Sequence, residues 1–179
     1  MIKLNRIVYL ACNVMVCLWM LTAAGWSLEG GLYCGCVPVL IQAAVVDERT
    51  FEIPPFYNRL IGIAGMVHLI SDLPHFGEYV AGMCCVSGLF AVIWQLTGGK
   101  AVGGGDIKLM ASAGLLLGWR KIMVALLTGA VAGTVIHTAR MKLMGKTRVL
   151  ALGPYLVIGI FTAMAYGNEI IDWYIKLHF

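Results

Sequence analysis

Val102-Gly103-Gly104-Gly105-Asp106-Ile107-Lys108-Leu109-Met110 sets three glycines and a carboxylate between two long apolar runs. Consecutive glycines open backbone conformations closed to other residues and let another chain come close. An ionisable residue at the mouth of an apolar segment is costly, which points to a function for Asp106. The competing reading is a flexible loop whose acid simply sits in water.

Outward from this stretch the chain stays apolar. Its 179 residues are 60% hydrophobic and 12% charged, where soluble domains carry about 25% charged residues. Runs long enough to cross a bilayer recur from end to end, which predicts an all-α, polytopic membrane helix bundle built as one domain over residues 1–179. The formal net charge of +4 sits in short loops between apolar segments, so it reports topology and gives no sign of a nucleic-acid partner. Cys12, Cys17, Cys34, Cys36, Cys84 and Cys85 include no Cys-x-x-Cys pair. No metal site and no cofactor are expected, and these cysteines read as small buried hydrophobes. His68, His75, His137 and His178 share no ligand spacing and read as structural or surface residues.

Seven spans are predicted, with six as the alternative: Leu4 to Trp26, Leu32 to Val46, Leu60 to Ile70 with a start near Phe56, Tyr79 to Thr97, Ile107 to Trp119, Ile122 to Ala139, and Val149 to about Ile171. Pro54 and Pro55 give the loop before the third segment a defined shape. With a cytoplasmic N-terminus and seven crossings, the cytoplasmic side carries Lys3, Arg6, Arg49, Arg59, Lys100, Lys108, Arg140, Lys142, Lys146 and Arg148. The other side carries Arg120, Lys121 and Lys176. Such a bias follows the positive-inside rule and supports both the count and the orientation.

This topology brings two distant acids to one membrane face. Asp47 ends the second segment and Asp106 begins the fifth, both on the cytoplasmic side. The fifth segment is short, about 20 Å as a helix. Either Asp106 lies below the surface, or the glycines extend the helix. Irregular glycine backbone at that depth belongs inside protein or beside a water-filled cavity. Two carboxylates at one water can divide the work of hydrolysis: the ionised one takes a proton from water, and the protonated one donates to the scissile carbonyl.

Three blocks of residues then resemble the type IV prepilin peptidase family. Gly103-Gly104-Gly105-Asp106-Ile107-Lys108-Leu109 resembles its Gly-x-Gly-Asp signature. Asp47-Glu48-Arg49-Thr50-Phe51-Glu52-Ile53-Pro54 resembles its first aspartate block, and Leu152-Gly153-Pro154-Tyr155-Leu156 the opening of its last helix. The blocks stand in family order and cover roughly Leu32 to Tyr166. The resemblance implies a membrane aspartic endopeptidase that cuts the basic leader from prepilins or pseudopilins at the cytoplasmic face of the cell membrane. By carry-over, Asp47 and Asp106 form the catalytic pair. Gly103 and Gly105 shape the loop of the second aspartate, and Lys108 neighbours it. The chain departs from longer members in lacking an N-terminal domain with paired Cys-x-x-Cys motifs, so it looks like a peptidase-only short form, and the resemblance does not extend to zinc binding or N-methyltransferase activity.

Two alternatives stand beside this reading. Intramembrane acids also mark proton or cation paths in transporters, although no inverted repeat is visible. Other Gly-x-Gly-Asp intramembrane proteases place their first aspartate after tyrosine, whereas Val46 precedes Asp47 here.

Overall fold

The computed structural model describes residues 6–144 and 151–178. Its helices are α1 (Arg6–Ala24), α2 (Leu28–Thr50), α3 (Pro55–Ser71), α4 (Phe76–Thr97), α5 (Gly104–Met144) and α6 (Gly153–His178). A single 3-10 turn, Leu73–His75, leads into α4, and no strand occurs among the described residues.

Local chemistry explains where the helices begin and end. The Ser27 side chain accepts from the Gly30 N–H at 3.1 Å, and Glu29 lies in the first turn of α2. Both features favour a helix N-terminus, so α2 takes in residues expected to form a turn. Pro55 starts α3, where its missing N–H costs nothing. At the far end of α2, Phe51 closes the helix in the left-handed region at φ 56°, its N–H donating to the Asp47 carbonyl at 2.8 Å.

The fifth and sixth expected segments form one element, α5, folded back on itself at Gly118. That residue has φ 77° and ψ 170°, a conformation open essentially only to glycine. Ion pairs mark the fold-back. Lys121, just past Gly118, lies 2.6 Å from Glu29 at the start of α2, and Arg140 lies 3.1 Å from Glu48 near its end. Residues 119–144 therefore run parallel to α2, and residues 104–117 run the opposite way. The expected break at Arg120–Lys121 falls slightly earlier, because glycine alone tolerates the turn.

Four helices among the described residues are long and apolar enough to cross a membrane: Leu28–Thr50, Leu73–Thr97, Gly104–Lys142 and Gly153–Leu177. Leu10–Ala24 is a shorter apolar helix. This makes a multi-pass all-helical membrane protein. The expected count of seven or six spans differs from these four, since the longest of them contains the Gly118 fold-back. The end of the expected basic loop and the start expected for the last segment, at Val149, lie outside the described residues.

The core joins Val37, Leu40 and Ala43 of α2, Leu109, Met110, Ala113 and Leu116 of the first α5 arm, Ile122 and Ala125 of the second, and Ile160 and Ala163 of α6. The outer surface is equally apolar, with Leu89, Val92, Leu127 and Val131 all exposed, as suits a lipid solvent. For the same reason the cysteines depart from expectation. Cys36 is buried, but Cys12, Cys84 and Cys85 are exposed on the outer surface. Small residues let helices meet closely: a side chain on Gly82 of α4 or Gly114 of α5 would run into the backbone of the other.

Candidate active site

Asp47 and Asp106 line one cavity of about 420 Å³, together with Phe51, Glu52, Ile53, Pro55, Gly103, Gly104, Gly105 and Lys108. The two acids are 4% and 7% exposed. Buried carboxylates are normally paired with a cation, and neither of these has an ion-pair partner among the described residues.

Asp47 lies in the last turn of α2, the end of a helix where the backbone dipole disfavours an anion. Its support comes from another helix. The Gly153 N–H, at the very start of α6, donates to Asp47 Oδ2 at 2.8 Å. The positive end of the α6 dipole therefore points at this carboxylate. A side chain on Gly153 would place its Cβ 2.6 Å from Asp47 Oδ2 and 2.8 Å from Cγ, so only glycine fits.

Asp106 stands in the first turn of α5, and its Oδ2 accepts from the Gly103 N–H at 3.1 Å. This is the carboxylate half of a capping box, reaching back to the residue before the helix. Its other oxygen, Oδ1, is buried with no hydrogen-bond partner among the described residues. An orphan buried carboxylate oxygen is costly, and a site that must receive water or substrate is one place where it persists.

The glycines divide the labour. Gly103 lies outside the helix and supplies the N–H for Asp106. Gly104 and Gly105 are helical, so the expected loop is shorter than the sequence suggested and the glycines do extend the helix. Gly105 packs on the segment after α2: a Cβ there would lie 3.0 Å from Ile53 Cβ and 3.2 Å from its backbone N. Gly104 has open space where a side chain would stand. Lys108 is exposed and lines the same cavity one turn beyond Gly104.

Two residues beyond the expected site residues complete the site. Gly153 is one. Asn58 is the other: it is buried on α3, and its Nδ2 donates to the Gly105 carbonyl at 3.3 Å, tying α3 to the first turn of α5. An amide at the start of a largely apolar helix was the available signal. The partnership of Gly153 with Asp47 spans a sequence separation of 106 and left no local trace. Among the described residues no three His, Cys, Asp or Glu side chains gather as metal ligands.

Fold and cavity together define a multi-pass helical membrane protein with two buried carboxylates, neither paired with a cation among the described residues, on one cavity. The chain belongs to the type IV leader peptidase family, which matches residues 34–138, more than half of its length. It is similar to the prepilin leader peptidase/N-methyltransferase of Legionella pneumophila, 35% identical over 105 residues, covering 54% of this chain and 36% of that protein. The namesake of Aeromonas hydrophila is 27% identical over 173 residues, covering 93% and 59% respectively. That of Bacillus subtilis is 31% identical over 147 residues, covering 79% and 58%. The chain thus spans between 36% and 59% of the length of these three relatives. No solved structure matches it.

Proposed function

We propose that the chain is an aspartic endopeptidase of the cell membrane that removes the basic leader peptide from type IV prepilins or pseudopilins. The observation that carries this reading is the meeting of Asp47 and Asp106, far apart in sequence and both without a cation among the described residues, on one cavity. Family membership and the printed names of the relatives support the substrate class.

In this reading the two carboxylates share one proton, as close like charges do. The ionised member removes a proton from a water molecule while that water attacks the scissile carbonyl carbon. The protonated member donates to the carbonyl oxygen, giving a tetrahedral diol. Proton transfer to the amide nitrogen then breaks the C–N bond, releasing the leader as an acid and the mature protein with a new amine. Gly153 and Gly103 hold one oxygen of each acid, which leaves the others for the reacting groups. Lys108 borders the path of the peptide.

The active site lies at the cytoplasmic face, with the N-terminus on the same side and seven crossings in all. The Gly118 fold-back and the ten-to-three distribution of basic residues support this arrangement. The substrate's basic leader stays in the cytoplasm, and its apolar stem lies in the bilayer.

The test is cleavage of a purified prepilin in vesicles without any ion gradient. Asp47→Asn and Asp106→Asn should each lower turnover by about 10³-fold or more, with normal insertion and thermal stability. Wild-type activity in either variant would remove that residue from the chemistry. A requirement for a gradient would favour transport instead.

A further inference from the structure

Beside the acid cavity lies an apolar groove between α3 and the first arm of α5, about 690 Å³ in volume. The two spaces share Pro55 and Lys108 in their walls. We propose that this groove docks the apolar stem that follows the scissile bond of the substrate, an inference that rests on the peptidase reading.

Continuity fixes the occupant. The residue after the cut bond is covalently joined to the stem, so the stem has to leave the acid cavity through space that adjoins it. The exit must also suit an apolar chain. The groove walls include Ile63 and Met66, which are 61% and 49% exposed. Met adapts its shape to differing partners, which suits a wall that meets stems of varied sequence. The groove floor is low where Gly62 faces Ser112: a Cβ on Gly62 would lie 3.4 Å from Ser112 Oγ, so small residues on both helices leave room for an incoming backbone.

The groove also has a direction. Arg59 and Lys108 stand at one end of it, beside the acid cavity, and Met66 and Leu115 lie deeper along the two helices. From Arg59 to Met66 is about 10 Å along α3. A cationic end at the headgroup level and an apolar end below it match a substrate whose cut site is interfacial and whose stem descends into lipid. Asn58 lines the groove and holds the Gly105 carbonyl, so the residue that meets the stem also braces the turn carrying Asp106.

The experiment places a photoreactive amino acid at Ile63 or Met66, in the full chain carrying Asp106→Asn so that substrate is held uncut. Leu89 and Val92 on the exposed face of α4 serve as controls. The probe is a purified prepilin reconstituted in vesicles. Adducts with the prepilin stem from positions 63 and 66, and not from 89 and 92, are the expected result. Adducts with lipid alone, with a second copy of the chain, or equally from α4 would overturn the proposal. In an otherwise native chain, Gly62→Leu should fill the groove and lower kcat/KM by about tenfold or more, while Gly88→Leu on the outer face of α4 leaves it unchanged. Wild-type kcat/KM in a folded Gly62→Leu variant would contradict the docking role. Cross-linking reads binding alone, so failure here is separable from failure of the peptidase reading, which is decided by activity of the Asp47 and Asp106 variants.

Discussion

At the end of the bundle that holds Gly118, Lys121 sits 2.6 Å from Glu29, which also accepts from the Tyr33 hydroxyl, and Arg120 sits 3.8 Å from Glu78. His68 contacts the Leu116 carbonyl at 2.8 Å, and Asp72 is bonded to both His75 and Tyr79. Those bonds, the one to His75 first, hold Asp72 below the usual carboxylate range. At the other end, Glu48 pairs with Arg140 while its neighbour Asp47 meets no cation among the described residues. Asp106 likewise has, among the described residues, only a backbone N–H. Both ends contain a polar cavity. The difference lies in satisfaction: the acids that tie helices together have side-chain partners, whereas Asp47 and Asp106, the proposed catalytic pair, have backbone N–H supports, and Asp106 Oδ1 has no partner among the described residues.

Substitutions at the two ends should therefore separate activity from stability. After the two acids themselves, the largest effect is expected at Gly153→Val, whose side chain would displace the Asp47 carboxylate. Cleavage should fall by about 10²-fold, as misplacing a reacting group does. Gly104→Ala, with open space around it, should cleave like wild type. Equal loss in both would mean that the glycines act only through backbone flexibility. At the opposite end, Gly118→Ala puts a side chain into a glycine-only conformation and should destabilise by about 2 kcal/mol, read as a lower melting temperature in detergent. Its kcat should stay within a few-fold of wild type, because the fold-back lies at the other end of the first α5 arm from Asp106. A smaller effect than at Gly118 is expected at Lys121→Met. The pair with Glu29 is half-buried, so its loss should cost about 1–2 kcal/mol and leave kcat/KM unchanged. A large loss of activity at unchanged stability would show that the far end contributes to the chemistry.

Much of this contrast was legible in the sequence, and the reasons are physical. Charge asymmetry in the sequence places Asp47 and Asp106 at one end of the helices, because lipid forbids most other placements of Lys and Arg. The glycine run reads as room for another chain, and in the structure Gly105 packs against Ile53 of the same chain. Helix ends were harder. Ser27 and Glu29 are ordinary N-terminal signals, yet Gly30 and Gly31 beside them read as a turn until packing extended α2 through both. Phe51 in the left-handed region has no sequence signature, since glycine or asparagine normally fills that role. Gly153 was visible as part of a motif, but its partnership with Asp47 belongs to the packing of α6 on α2. The cysteines misled because an apolar run in a membrane protein has two apolar destinations, the core and the lipid.

The central claim is that Asp47 and Asp106 act as one catalytic unit. A double-mutant cycle tests it most directly, using turnover of reconstituted prepilin by wild type, Asp47→Asn, Asp106→Asn and the variant carrying both. The expected result is that the double variant is no slower than the slower single variant, as holds for residues that work on one step together. Losses that multiply, or full activity in either single variant, would contradict it.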